Sequence, residues 1–195
     1  TQPPILATIL REILDKNKIN KTQLLNIKKI IKKIKKFHEW FIKYRDPQKT
    51  GLVSILHPWE SGYDNSPIWD QSLEKVKIEK NLKYKRADNK IINPDFRPLS
   101  IDYDRYVTIK NKLRKIRYHP KKVYKLSPFN VVDVGFNSIF LKANKDLIIL
   151  LDRFNLNKSN INKYIKISEK NLLKLYDKKK GKFFSKDIKN KKKIY

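Results

Sequence analysis

Cysteine and methionine are both absent from the 195 residues, and glycine occurs only four times, alanine three times and histidine three times. Without cysteine there is no disulfide framework, no thiolate zinc site and no cysteine nucleophile. His38, His57 and His119 lie far apart, and no carboxylate cluster has metal-ligand spacing, so neither a metal nor another cofactor is expected. Acidic residues are scarce as well, 19 against 47 Lys and Arg, for a formal charge of +28. No apolar run approaches the ~20 residues that cross a bilayer; the longest resemble Leu147–Leu151, and the start has no signal-peptide pattern. The expectation is a soluble, cytoplasmic protein with no membrane partner. The lack of methionine, the Thr1-Gln2-Pro3-Pro4 start and the charged Lys191-Lys192-Lys193-Ile194-Tyr195 end give the further expectation of a fragment. That terminal Lys run reads as a solvated end.

What is present is enough apolar material, 39% of residues, to bury a core. The basic charge has the look of a nucleic-acid footprint until its source is counted: 39 Lys but only 8 Arg, alongside 25 Ile and 17 Asn. Lys, Ile and Asn make up 81 of 195 residues and share A- and T-rich codons, so codon bias alone accounts for the excess at exposed positions. A phosphate-clamping protein favours the bidentate fork of Arg and concentrates its charge on one face. Here Lys is scattered, and nucleic acid is not the expected partner. One stretch escapes the pattern entirely: from Gly51 to Gln71 there is no Lys or Arg.

Apolar spacing is helical nearly throughout. Leu24, Ile27, Ile31, Ile34, His38 and Phe41 form a stripe that predicts a helix over 21–44, after a shorter one over 5–14. Arg45-Asp46-Pro47 ends the long helix, because the residue before proline is driven out of the helical region. Ser66 as N-cap and Pro67 at the first position predict a helix over 67–80. Further helices are predicted over 101–118, along the apolar stretch from Phe136 to Phe154, and over 159–176. Gly181-Lys182-Phe183-Phe184 has an extended look, but no run of alternating strands joined by hairpin turns is present, so the fold class is all-α. Oligomeric state has no signature in the sequence.

The informative segment is His57-Pro58-Trp59-Glu60-Ser61-Gly62-Tyr63-Asp64-Asn65-Ser66-Pro67-Ile68-Trp69-Asp70, which holds two of the three tryptophans and three carboxylates. Aromatic faces stack on the apolar side of a pyranose, while carboxylates bind hydroxyls and move protons; glycoside hydrolysis needs such an acid to protonate the departing oxygen. A small carbohydrate is therefore the expected partner. Trp69, on the predicted helix, reads as a core residue, and His57 before Pro58 is open to a structural reading.

The same fourteen residues resemble the signature of glycoside hydrolase family 63, in particular its mannosylglycerate and glucosylglycerate hydrolases, and trehalases carry a related Glu-Ser-Gly-x-Asp sequence. Gln2-Pro3-Pro4, Arg45-Asp46-Pro47, Gly51-Leu52-Val53, Arg86-x-Asp88, Arg97-Pro98, Asp102-Tyr103-Asp104-Arg105-Tyr106 and Phe136-Asn137-Ser138 keep the family's order. The resemblance implies an (α/α)6 barrel, of which residues 1–195 would be a single partial catalytic domain, incomplete at both ends. It implies an inverting enzyme with Asp64 as general acid, Trp59 walling the sugar subsite, Gln2 bonding sugar hydroxyls, and Arg97 and Tyr103 holding a glycerate carboxylate. A helix-capping or packing role is the alternative for Arg97 and Tyr103, and Arg86 with Asp88 reads as a local ion pair.

As an acid Asp64 must hold its proton, although Ser66-Pro67 set it just before a helix N-terminus, whose dipole favours the anion. Desolvation or a neighbouring carboxylate, with Glu60 a candidate, must outweigh that dipole. The implied general base has no counterpart in this chain, so the chain alone is expected to be inactive and to expose apolar helix faces. An oligosaccharide α-glucosidase or trehalase-like enzyme is the alternative within the class; a basic helical nucleic-acid-binding protein is the alternative outside it.

Overall fold

The computed structural model describes residues 3–86, 93–158 and 160–195, which fall into two compact units. Gln2 and Asp88 lie outside the described residues.

One unit combines residues 3–54 with 133–184 and is built from four helices: α1 (Leu6–Lys16), α2 (Lys21–Arg45), α6 (Val134–Arg153) and α7 (Ile161–Leu173). The most apolar of them, α6, buries Phe136, Phe140, Ala143, Leu147, Leu150 and Leu151 among the other three. Ala7 and Leu14 of α1, Ile31 and Ile34 of α2 and Ile161 of α7 complete this core. Each start is explained locally. Asn20 opens α2 with a reciprocal capping box, its side chain accepting from the Gln23 N–H at 2.9 Å while the Gln23 side chain accepts from the Asn20 N–H at 3.1 Å. Asp133 opens α6 by accepting from the Phe136 N–H at 2.6 Å.

After Arg45 the chain turns sharply. The Asp46 carboxylate accepts from the Thr50 N–H at 2.8 Å and the Gly51 N–H at 2.6 Å, and Gly51 adopts φ +79°. A Cβ there would sit 2.7 Å from the backbone nitrogen of Ser168, so this close approach needs glycine. Asn137 then secures residue 53, exchanging bonds with its N–H (2.8 Å) and carbonyl (2.9 Å). Within the same unit, β2 (Tyr176–Asp177) and β3 (Lys182–Phe183) form a small hairpin at the segment whose sequence looks extended.

The other unit spans residues 55–132 and 185–195 and carries α3 (Asp70–Leu73), α4 (Ser100–Lys115) and α5 (Pro120–Leu126). A three-stranded antiparallel sheet, ordered β1 (Val131–Val132), β4 (Ser185–Asp187), β5 (Lys192–Ile194), accompanies them, with Val131 opposite Asp187 and Ser185 opposite Ile194. Trp69, Leu73, Ile109, Phe129 and Val131 are among its fully buried side chains.

The chain is helix-rich, and the helices expected over 5–14, 21–44, 101–118, 136–154 and 159–176 correspond to α1, α2, α4, α6 and α7. Three details differ. The helix expected over 67–80 is a 3-10 turn (Pro67–Trp69) followed by the single turn α3. Beyond it, the Glu79 N–H donates to Thr108 Oγ1 at 3.1 Å and the Glu79 carboxylate pairs with Lys115, so tertiary contacts with α4 override the helical spacing. The seven-residue α5, with Pro120 at its first position, has no sequence expectation to match. Two small sheets also qualify the all-α expectation. The terminal Lys run contributes strand β5, with Lys192 and Lys193 exposed and Ile194 buried; Asp187 shapes the preceding turn by accepting from the Asn190 N–H at 2.8 Å.

Candidate active site

The Lys-free segment folds as two successive 3-10 turns, Pro58–Glu60 and Pro67–Trp69, with the Asp64 turn between them. His57 caps the first. Its Nδ1 accepts from the Trp59 N–H at 3.0 Å, so Nε2 carries the proton and donates to the Tyr106 carbonyl at 2.9 Å. Burial pushes the His57 imidazole down to about 4, partly opposed by that bond to Tyr106, which keeps the ring neutral and in this tautomer. The structural reading of His57 is therefore correct. Glu60 is buried and turns back on the chain, its Oε2 accepting from the Leu56 N–H at 2.7 Å.

Ser61 Oγ donates to the Pro58 carbonyl at 2.7 Å and accepts from the Tyr63 N–H at 3.1 Å, and Gly62 takes φ +85° to make the bend. Trp69 is fully buried, as a core residue should be. Its Nε1 donates to the Tyr63 carbonyl at 3.0 Å and its ring stacks on Tyr63 at 5.3 Å. Ser66 caps the second turn through the Ile68 N–H at 3.4 Å. The half-buried Asp64 thus sits in a turn fixed on both sides, and the Tyr106 hydroxyl donates to its carbonyl at 2.7 Å.

Helix α4 supplies the rest. Tyr103 and Tyr106, three residues apart on one helix face, lie 6.2 Å apart by ring centroid. The half-buried Trp59 ring stands edge-on to both, at 6.2 Å from Tyr103 and 5.9 Å from Tyr106, and packs on His57 at 4.4 Å. Tyr84 stacks on Tyr103 at 5.3 Å. Arg97, half-buried, follows the Pro94–Phe96 turn, whose Phe96 carbonyl accepts from Asn65 Nδ2 at 3.4 Å. Burial raises the Tyr106 hydroxyl well above its ordinary value, and the Asp102, Asp64 and Asp70 carboxylates raise it further while Arg97 opposes them. Burial first, then Asp102 and Glu74, also push the Asp70 carboxyl up, opposed by Arg105.

Of the residues the resemblance singles out, Trp59 and Tyr103 pack on the Tyr106 ring and the Asp64 carbonyl accepts from its hydroxyl; Arg97 lies in the loop before α4, and Gln2 is outside the described residues. Sequence reasoning gives no role to Tyr106 or Tyr84. The i,i+3 spacing of two tyrosines on α4 was the available signal for Tyr106; Tyr84 had none. Among the described residues no three His, Asp or Glu side chains gather as a metal site.

The family model of the mannosylglycerate hydrolase MGH1-like glycoside hydrolase domain matches residues 1–195. Mannosylglycerate hydrolase from Thermus thermophilus is 41% identical over 188 residues, covering 96% of this chain and 45% of that protein. Glucosylglycerate hydrolase from Mycolicibacterium hassiacum is 34% identical over 149 residues, covering 73% of this chain and 33% of that protein. The crystal structure of a GH63 mannosylglycerate hydrolase from Thermus thermophilus in complex with Tris and D-glycerate aligns at a TM-score of 0.95 and 41% identity, over 100% of this chain and 47% of that one. The chain spans about half the length of that enzyme or less. With its whole length matched by the family model and its fold by that crystal structure, the chain belongs to the mannosylglycerate hydrolase MGH1-like group of glycoside hydrolase family 63.

Proposed function

We propose that residues 1–195 are part of one catalytic (α/α)6-barrel domain of an inverting glycosidase that cleaves a small α-glycoside of glycerate, mannosylglycerate or glucosylglycerate. The observation that carries this reading is the Asp64 turn, pinned at its carbonyl by the Tyr106 hydroxyl at 2.7 Å beside a wall made by Trp59, Tyr103 and Tyr106. The names of the relatives and the D-glycerate and glucose complexes of the Thermus enzyme support it.

In this reading Asp64 delivers its proton to the glycosidic oxygen as the bond to the anomeric carbon breaks. Water attacks that carbon from the opposite face and gives its proton to a base carboxylate roughly 6.5–9.5 Å from the acid, contributed by residues outside this chain. The glycerate leaves as the neutralised alcohol, and the sugar appears with its anomeric configuration reversed. Arg97, with Tyr103, holds the glycerate carboxylate, a task suited to a planar guanidinium. Trp59 walls the sugar subsite and Gln2 bonds its hydroxyls. No cofactor enters these steps.

The test is NMR of the first-formed product when the complete enzyme meets each glycerate glycoside. The β-anomer of the sugar is expected to appear first; release of the α-anomer first, or no hydrolysis of either compound, contradicts the reading.

A further inference from the structure

Arg86 touches the Tyr103 half of the carboxylate clamp just described and the backbone next to its Arg97 half. Its guanidinium carbon lies 4.5 Å from the centre of the Tyr103 ring, and its NH1 donates to the Pro98 carbonyl at 3.0 Å, one residue beyond Arg97. Tyr103 is in the first turn of α4, whereas Arg97 is in the loop before it, after the Pro94–Phe96 turn. Helix geometry alone does not set the distance between a helical side chain and one on the preceding loop.

We infer that Arg86 is a positioning residue that sets the separation of Arg97 and Tyr103 and so determines preference for a carboxylate-bearing aglycone. The inference rests on the reading that Arg97 and Tyr103 hold that carboxylate. Only a planar guanidinium covers an aromatic face while donating in its own plane to a carbonyl beside it; a lysine ammonium at the same site keeps the charge but not the joint geometry. Tyr84, two residues earlier, braces the same ring by stacking on Tyr103 while its hydroxyl bonds the Asp104 carboxylate.

The experiment compares Arg86→Lys and Arg86→Gln with Arg97→Ala in the complete enzyme. Each is assayed on mannosylglycerate and on its neutral analogue, in which the carboxylate is reduced to CH2OH, and folding is checked by circular dichroism. Both Arg86 variants are expected to raise KM for the charged substrate about tenfold with kcat changed less than about threefold. Their preference for charged over neutral substrate should fall by about the same tenfold. If Arg86→Lys keeps full preference, charge alone suffices and the positioning role is overturned. If both Arg86 variants keep it while Arg97→Ala loses it, the role is overturned and the clamp stands. If Arg97→Ala keeps it as well, the clamp itself is wrong, and the inference falls with it.

Discussion

Two histidines are held neutral by burial, and both carry a pH dependence. His38 is fully buried on α2, its Nδ1 3.0 Å from Asn144 Oδ1, while Asn144 Nδ2 donates to the Phe140 carbonyl at 2.8 Å. Burial takes it down to about 4, against the raising effect of Asn144, the same depression seen at His57. An unfolded imidazole binds its proton below about 6.5, so between these values the unfolded state holds more protons and stability rises with pH. The contribution is complete above about 6.5 and is lost as pH falls toward 4, by at most about 3 kcal/mol for each ring. Urea midpoints should drop between pH 7 and pH 5, above the range in which ordinary carboxylates titrate; a flat profile there would contradict the burial argument. Trp69 was legible from sequence as a core residue because a large aromatic favours burial, although the helix expected around it is a 3-10 turn, and His57 was left open to the structural role it has. Tyr106 offered only its i,i+3 spacing from Tyr103, and only the fold brings position 106 to a loop at 57–64.

Elements with strong local signals appear where periodicity puts them: the α2 start has its capping box and α6 its Asp133 cap. Those decided by distant partners do not, as the one-turn α3 and the Lys-rich β5 illustrate. The turn after α2 combines both kinds, because Pro47 marks the end of the helix locally while contact with α7 decides the residue at 51. Gly51 combines φ +79° with backbone atoms of Ile167 and Ser168 within 2.8 Å of any added Cβ. Gly51→Ala should cost about 2–4 kcal/mol, because backbone on both sides must move. Asp133→Ala removes the cap bond to the Phe136 N–H, worth about 1 kcal/mol, without forcing backbone to move. Urea unfolding of the two variants checks the order, and equal losses would contradict this account of the turn.

At the scale of the molecule, charge and apolar surface point in different directions. Lys is spread across both units, as codon bias predicts, and no membrane-spanning helix occurs among the described residues. Helix α1 is apolar on two faces: Ala7 and Leu14 are in the core, while Leu6, Ile9 and Ile13 are 53%, 45% and 51% exposed. The alignment uses all of this chain but 47% of the crystallised relative, and in the proposed complete barrel further chain would cover that stripe. Ile9→Lys with Ile13→Lys should therefore raise the soluble yield of the 195-residue chain but destabilise the complete enzyme. Unchanged stability of the complete enzyme would mean that the stripe is solvent-facing there too. The general base that the proposed mechanism requires has no counterpart in this sequence, so no residue here could be nominated for it. A candidate acid could be named, since fourteen consecutive residues carry the surroundings of Asp64.

In the proposed mechanism Asp64 supplies the proton to the leaving group. Asp64→Asn in the complete enzyme, assayed on mannosylglycerate and on α-mannosyl fluoride, tests it most directly, because fluoride leaves with little need of protonation. Glycerate release should fall by at least about a hundredfold while fluoride release stays close to that of the unsubstituted enzyme. Equal losses on both substrates, or retained glycerate release, would contradict the assignment.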